Sequence, residues 1–110
     1  MIVLSWNCRG LGQPRAIPNL CGLARSHRPG VIFLSETLSH VRKIKDVRVK
    51  LGFESCLAID VEGHSGGLAV LWRKSSEFKV LNYSRNIINL LVEDREHGNW
   101  RLTGFYGYPE

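Results

Sequence analysis

Val31-Ile32-Phe33-Leu34 is an unbroken apolar run of strand length. A strand with one wet face alternates apolar and polar residues, so a run without alternation must be covered on both faces. That requirement excludes a lone hairpin and demands a layered fold. The run ends in Ser35-Glu36-Thr37, which leaves one carboxylate at the carboxyl end of the strand. Met1 to Trp6 is a second β-rich apolar run, and it ends in Asn7-Cys8-Arg9-Gly10. Gly10, Gly12 and Pro14 then break the chain, and Ile17, Leu20, Cys21 and Ala24 recur at helical spacing until Arg28-Pro29-Gly30 stops the pattern. The three segments read as one βαβ unit with a right-handed crossover and parallel neighbouring strands.

Ser39 is a candidate cap for a second helix, in which Val41, Ile44, Val47 and Leu51 share one stripe and Gly52 supplies the stop. Short β-type runs follow at about Glu54 to Val61, Gly67 to Trp72, Phe78 to Tyr83, Ile87 to Glu93 and Trp100 to Tyr106, separated by turn residues. The economical reading is an α+β fold, a βαβ unit that grows into an antiparallel meander. No repeat, linker or low-complexity tract divides the chain, so residues 1–110 form part of one domain. Two helices cannot cover both faces of some seven strands in one sheet. One face is therefore expected to be bare, which suggests a truncated fold.

The chain has 110 residues and is 44% hydrophobic, enough for one modest core. No apolar run is long enough to span a membrane, and no basic leader precedes Ile2-Val3-Leu4, so a nuclear or cytoplasmic setting is expected. Cys8, Cys21 and Cys56 are odd in number and widely spaced, which argues for reduced, buried thiols. The net charge of +5 favours polyanions without fixing a partner. On the second helix Arg42, Lys43, Lys45, Arg48 and Lys50 lie opposite the apolar stripe, either as a nucleic-acid contact or as a solvated face.

Parallel strands of a βαβ unit open their carboxyl ends on one edge, where ligands of open sheets commonly sit. Asn7 and Glu36 each stand one residue past an apolar run, so they should share that edge. A hard cation such as Mg²⁺ takes oxygen ligands and keeps several waters, so one carboxylate beside a carboxamide and a substrate phosphate is a workable shell. The alternatives are a helix-proximal acid for Glu36 and a turn former for Asn7. Gly66-Gly67 reads as relief of crowding at a hairpin, and Trp72 and Trp100 read as core. His27, His40, His64 and His97 read as surface polar residues. Phe105-Tyr106-Gly107-Tyr108 ends a strand on the same prospective edge.

Ser5-Trp6-Asn7, Phe33-Leu34-Ser35-Glu36-Thr37, Ser65-Gly66-Gly67-Leu68-Ala69-Val70-Leu71-Trp72 and Gly104-Phe105-Tyr106-Gly107-Tyr108-Pro109, in this order, resemble the endonuclease/exonuclease/phosphatase superfamily. The resemblance covers the whole chain and points in particular to the endonuclease of plant LINE-type non-LTR retrotransposons. It implies a four-layer α/β sandwich and Mg²⁺- or Mn²⁺-dependent cleavage of phosphodiesters, with DNA as partner. It also implies that Glu36 is the metal-binding glutamate, that Asn7 helps organise the site and that Tyr106 contacts the scissile phosphate. Arg9 stands where many members carry an acid, and it either touches phosphate or lies idle on the surface.

The family's Gly-Asp-Phe-Asn-like and Ser-Asp-His-like segments have no counterpart before Glu110. The expectation is the amino-terminal half of such a domain, inactive alone, because hydrolysis loses heavily when cooperating groups are removed. The rival is a non-catalytic basic module that binds nucleic acid through the Arg42 to Lys50 face. A flavodoxin-like nucleotide binder is weaker, because the loop from Cys8 to Pro14 lacks a phosphate-binding pattern.

Overall fold

A computed structural model describes residues 1–60 and 66–106. Its elements in chain order are β1 (Val3–Asn7), α1 (Ala16–His27), β2 (Val31–Ser35), α2 (Val41–Leu51), β3 (Ser55–Ile59), β4 (Leu68–Trp72), a 3-10 turn at Ser75–Glu77, β5 (Phe78–Tyr83), β6 (Ile87–Asp94) and β7 (Gly98–Phe105). β1 and β2 are parallel neighbours, with Val3 opposite Val31 and Asn7 opposite Ser35. The α+β class and the βαβ start hold. Among the described residues no helix is long and apolar enough to cross a membrane.

The strands do not form one sheet. The first sheet has the order β1-β2-β4-β3, because β4 pairs antiparallel with both β2 and β3. The second is the antiparallel meander β5-β6-β7. The reason lies in side-chain patterning: every residue of β4 and the first four of β2 are buried, so both faces of the central strands need cover. One face meets the helices through Ile32, Leu34, Ala69 and Leu71 against Leu20, Ala24, Ile44 and Val47. The other meets the second sheet through Val31, Phe33, Val70 and Trp72 against Phe78, Ile88, Leu90 and Val92. β6 alternates accordingly, with Asn89, Leu91 and Glu93 pointing away from the core. The expected bare face of a single sheet is thus covered by the chain's own later strands.

Close approach fixes how the sheets sit. A Cβ at Gly104 would occupy the ring of Phe33, so this position on β7 must stay bare for the β2 ring to lie against it. Helix ends follow the sequence more loosely. Gly52 ends α2 in the left-handed region at φ 73°, as expected. Ser39 does not cap α2: its hydroxyl donates to the Thr37 carbonyl at 2.9 Å, and the Val41 amide instead donates to the Asp60 carboxylate at 2.9 Å. An acid from the end of β3 therefore does the capping, where the helix dipole favours negative charge. Arg48 is also not part of an open basic face, since its guanidinium donates to the carbonyls of Phe53 at 2.7 Å and Glu54 at 3.2 Å.

Candidate active edge

Strand pairing continues past the ends of β1 and β2 and builds the edge. The Cys8 amide donates to Ser35 at 2.9 Å, Gly10 to Glu36 at 2.8 Å and Leu11 to Thr37 at 2.9 Å. On the other side Thr37 and Leu38 donate to the carbonyls of Gly67 and Gly66, each at 3.2 Å. Residues 36–38 are thereby clamped between two loops. Thr37 is 1% exposed, and its hydroxyl fills the place a Gly67 Cβ would take. Gly67, at φ 96°, is glycine for both reasons.

Backbone outliers gather here. Arg9, Glu36 and Leu38 are non-glycine residues with φ near +50°, at 51°, 51° and 49°. Such conformations persist only where surrounding bonds over-determine them, and they concentrate at functional sites. At Glu36 the consequence is directional. Alternation along β2 puts Ile32 and Leu34 on the helix side and Phe33 on the sheet side, so a regular strand would send Glu36 toward the helices. The left-handed turn re-aims it, and its carboxylate accepts a hydrogen bond from the Tyr106 hydroxyl just beyond β7. Tyr106 is itself anchored, its amide donating to the Asn86 carbonyl at 2.9 Å.

Asn7 ends β1 on the same edge, exposed, and its Oδ1 accepts the Arg9 amide at 3.1 Å. Gln13 then ties the loop by donating to the Arg9 carbonyl at 2.9 Å. The turn-forming role of Asn7 is therefore real, whatever further role its amide has. The Arg9 side chain is exposed on this loop. Arg42 and Lys43 are exposed in the first turn of α2, where they border an open groove with Gly12, Leu38 and Asp60 on the helix side. Strands β1, β2 and β7 thus bring Asn7, Glu36, Tyr106 and Arg9 to one edge, with Arg42 and Lys43 around the corner. Sequence reasoning missed Thr37, Gln13 and Asp60; for Thr37 the only signal was its place between Glu36 and the Gly66-Gly67 pair.

Burial pushes the Cys8 thiol up to about 12, and the nearby Glu36 carboxylate adds to the effect. The thiol stays protonated and serves as a small core group, as expected for a buried cysteine. The edge offers hard oxygen donors: one carboxylate, one carboxamide and one phenol. That set suits a cation such as Mg²⁺ that retains waters. Among the described residues no three His, Cys, Asp or Glu side chains come together. His97 pairs with Asp94 at 3.0 Å in the β6–β7 turn, at the far end of an eight-residue strand that starts beside Tyr106. At ~3.3 Å per residue it is roughly 25 Å from this edge. His27 ends α1 at that far end too, and His64 lies outside the described residues, as do Gly107 and Tyr108.

No family model and no curated protein matches the chain significantly. Solved structures do match its fold. The AP endonuclease LMAP from Leishmania major aligns with TM-score 0.63 and 13% identity over 94% of this chain and 39% of its own. An endonuclease/exonuclease/phosphatase from Beutenbergia cavernae aligns with TM-score 0.62 and 16% identity over 93% of this chain and 36% of its own. The 3′ phosphatase NExo from Neisseria, bound to a product DNA hairpin, aligns with TM-score 0.60 and 19% identity over 82% of this chain and 37% of its own. The chain spans less than two fifths of the length of each of these proteins. Its two sheets and two helices have the fold of the endonuclease/exonuclease/phosphatase proteins, over a part of their extent.

Proposed function

We propose that this chain carries the metal-binding edge of a Mg²⁺- or Mn²⁺-dependent phosphodiesterase, a DNA endonuclease of retrotransposon origin like those of plant LINE-type elements. The observation that carries the reading is the convergence of Glu36 and Tyr106 from β2 and β7, with Asn7 on the adjoining parallel strand. DNA as substrate is supported by the matching Neisseria phosphatase, which holds a product DNA hairpin. The origin rests on the sequence resemblance alone.

In this reading Glu36 holds the cation and Tyr106 fixes the rotamer of that carboxylate before substrate arrives. A cation held there neutralises and polarises phosphoryl oxygens. Asn7 keeps the β1 loop in place by accepting the Arg9 amide, which leaves its amide nitrogen for a phosphate oxygen. Arg9 adds charge for the phosphate backbone, and Tyr106 can release Glu36 to donate to a phosphate. Among the described residues no three His, Cys, Asp or Glu side chains gather to hold a metal ion, and in this reading the chain by itself binds DNA and does not hydrolyse it.

The experiment is fluorescence anisotropy of a short duplex with the full chain, with and without Mn²⁺, paired with supercoiled-plasmid nicking. Mn²⁺ should tighten binding, Glu36→Gln should remove the increment, and no nicking should occur. Metal-independent binding that is indifferent to Glu36→Gln would instead favour a basic module working through Arg42 and Lys43, which border the helix-side groove. Nicking lost in Glu36→Gln would refute the claim of inactivity.

A further inference from the structure

The end of the first sheet opposite Glu36 is also chemically distinctive. The carboxyl ends of α1 and α2 and the chain leaving β4 enclose a cavity of about 460 Å³. It lies one strand length away from the candidate edge, at the start of β2, where the Arg73 amide donates to the Gly30 carbonyl at 2.9 Å. Arg25, Arg28, Lys50 and Arg73 line it over a floor that includes Ala24 and Leu51, and among the described residues no Asp or Glu does. They come from three segments distant in sequence, so the cluster is a product of folding and not a basic run. Arg28 and Arg73 also border a neighbouring cleft with Glu77, Asp94 and Glu96, yet among the described residues none of the four forms an ion pair.

The negative poles of helix carboxyl ends account for Arg25 and Lys50 one at a time. Arg28, at the left-handed cap position of α1 at φ 48°, stands at such a pole too, but the poles do not account for Arg73, which is outside both helices. Arg73 is held in place twice: its Nε donates to the Pro29 carbonyl at 3.3 Å, and its guanidinium lies 4.7 Å from the Phe53 ring centroid. Among the described residues its terminal nitrogens have no hydrogen-bond partner, so a fixed planar fork of donors remains for a ligand. Four like charges around one concavity repel each other, and a multiply charged anion relieves that repulsion while meeting the preorganised fork.

We infer that the cavity formed by Arg25, Arg28, Lys50 and Arg73 is a second binding site, for a multiply charged phosphate group. The same phosphate chemistry is offered by a free oligophosphate and by a nucleic-acid backbone. Neither requires Glu36 or a metal, so this site stands or falls apart from the candidate active edge.

Calorimetric titration of the full chain with inorganic tripolyphosphate at low salt, alongside anisotropy with a short DNA duplex in EDTA, tests the inference. The variant is Arg25→Gln with Lys50→Gln, two exposed helix positions that tolerate glutamine. Arg28→Gly, which suits the left-handed cap, is the second variant should circular dichroism show the first to be unfolded. Lys79→Gln with Arg101→Gln, two exposed positions on the second sheet, removes the same charge away from both proposed sites. Binding at least tenfold weaker in the cavity variant, and within twofold of the parent in the charge control, supports the site. Loss for tripolyphosphate assigns it to free oligophosphates; loss for the duplex alone assigns it to a nucleic-acid backbone. No binding of either ligand, undiminished binding in the cavity variants, or equal loss in the charge control overturns it.

Discussion

The hydroxyl of Tyr106 donates to the carboxylate of Glu36 across seventy residues of chain, joining the end of β7 to the end of β2. In the proposed site this contact holds a metal-binding carboxylate in one rotamer. Outer partners of metal ligands are worth about 10–100-fold in metal affinity. Tyr106→Phe should therefore weaken Mn²⁺ binding by about tenfold or more. A partly buried hydrogen bond contributes about 1 kcal/mol to stability, so the urea midpoint should move little. A large loss of stability with unchanged Mn²⁺ affinity would make the contact purely structural.

Gly66 and Gly67 separate backbone conformation from crowding. Both have positive φ, but nothing lies within 4 Å of a Cβ placed at Gly66, whereas one at Gly67 meets the Thr37 hydroxyl. Gly66→Ala should cost about 1–2 kcal/mol from the left-handed backbone alone. Gly67→Ala should add about 1–3 kcal/mol of overpacking to that. Equal urea midpoints for the two variants would mean that the clamp on residues 36–38 is loose.

Asp60 accepts the first amide of α2, so Asp60→Ala should cost about 0.5–2 kcal/mol, the usual value of an N-terminal cap. Ser39→Ala should cost less than that, since its hydroxyl does not cap the helix. Thermal melts of the two variants check the order.

How much of this was legible in the sequence depended on distance along the chain. The unalternating run Val31 to Leu34 demanded cover on both faces, and β2 has it. The parallel pairing that brings Asn7 level with Ser35 followed from one helix between two apolar runs. Local punctuation at Gly52 also held. The division into two sheets was not legible, because the pattern Phe78-Lys79-Val80 shows that one face is apolar without saying against which strand it packs. Asp60 and Arg48 escaped for a related reason: each spends its charge on backbone groups, and charge spacing alone cannot distinguish such a residue from one facing water.

Asp94 gives the fold a pH dependence. The Glu96 amide, and then His97, hold its carboxyl below the ordinary 3.8. A lowered folded-state value means that its stabilisation is present above the unfolded-state value and is lost as pH falls through the folded one. Asp94→Asn should melt below the parent at pH 7, and the gap should close as pH drops below about 4. A gap that persists at pH 2 would show that the loss arises from turn geometry and not from charge.

The central claim is that Glu36 provides the edge with a divalent-cation site. Electron paramagnetic resonance of free Mn²⁺, titrated with the full chain, measures this directly and needs no turnover. One site per chain that disappears in Glu36→Gln, with circular dichroism unchanged, is the predicted result. Mn²⁺ binding of equal affinity in Glu36→Gln, or none in the parent, would contradict it.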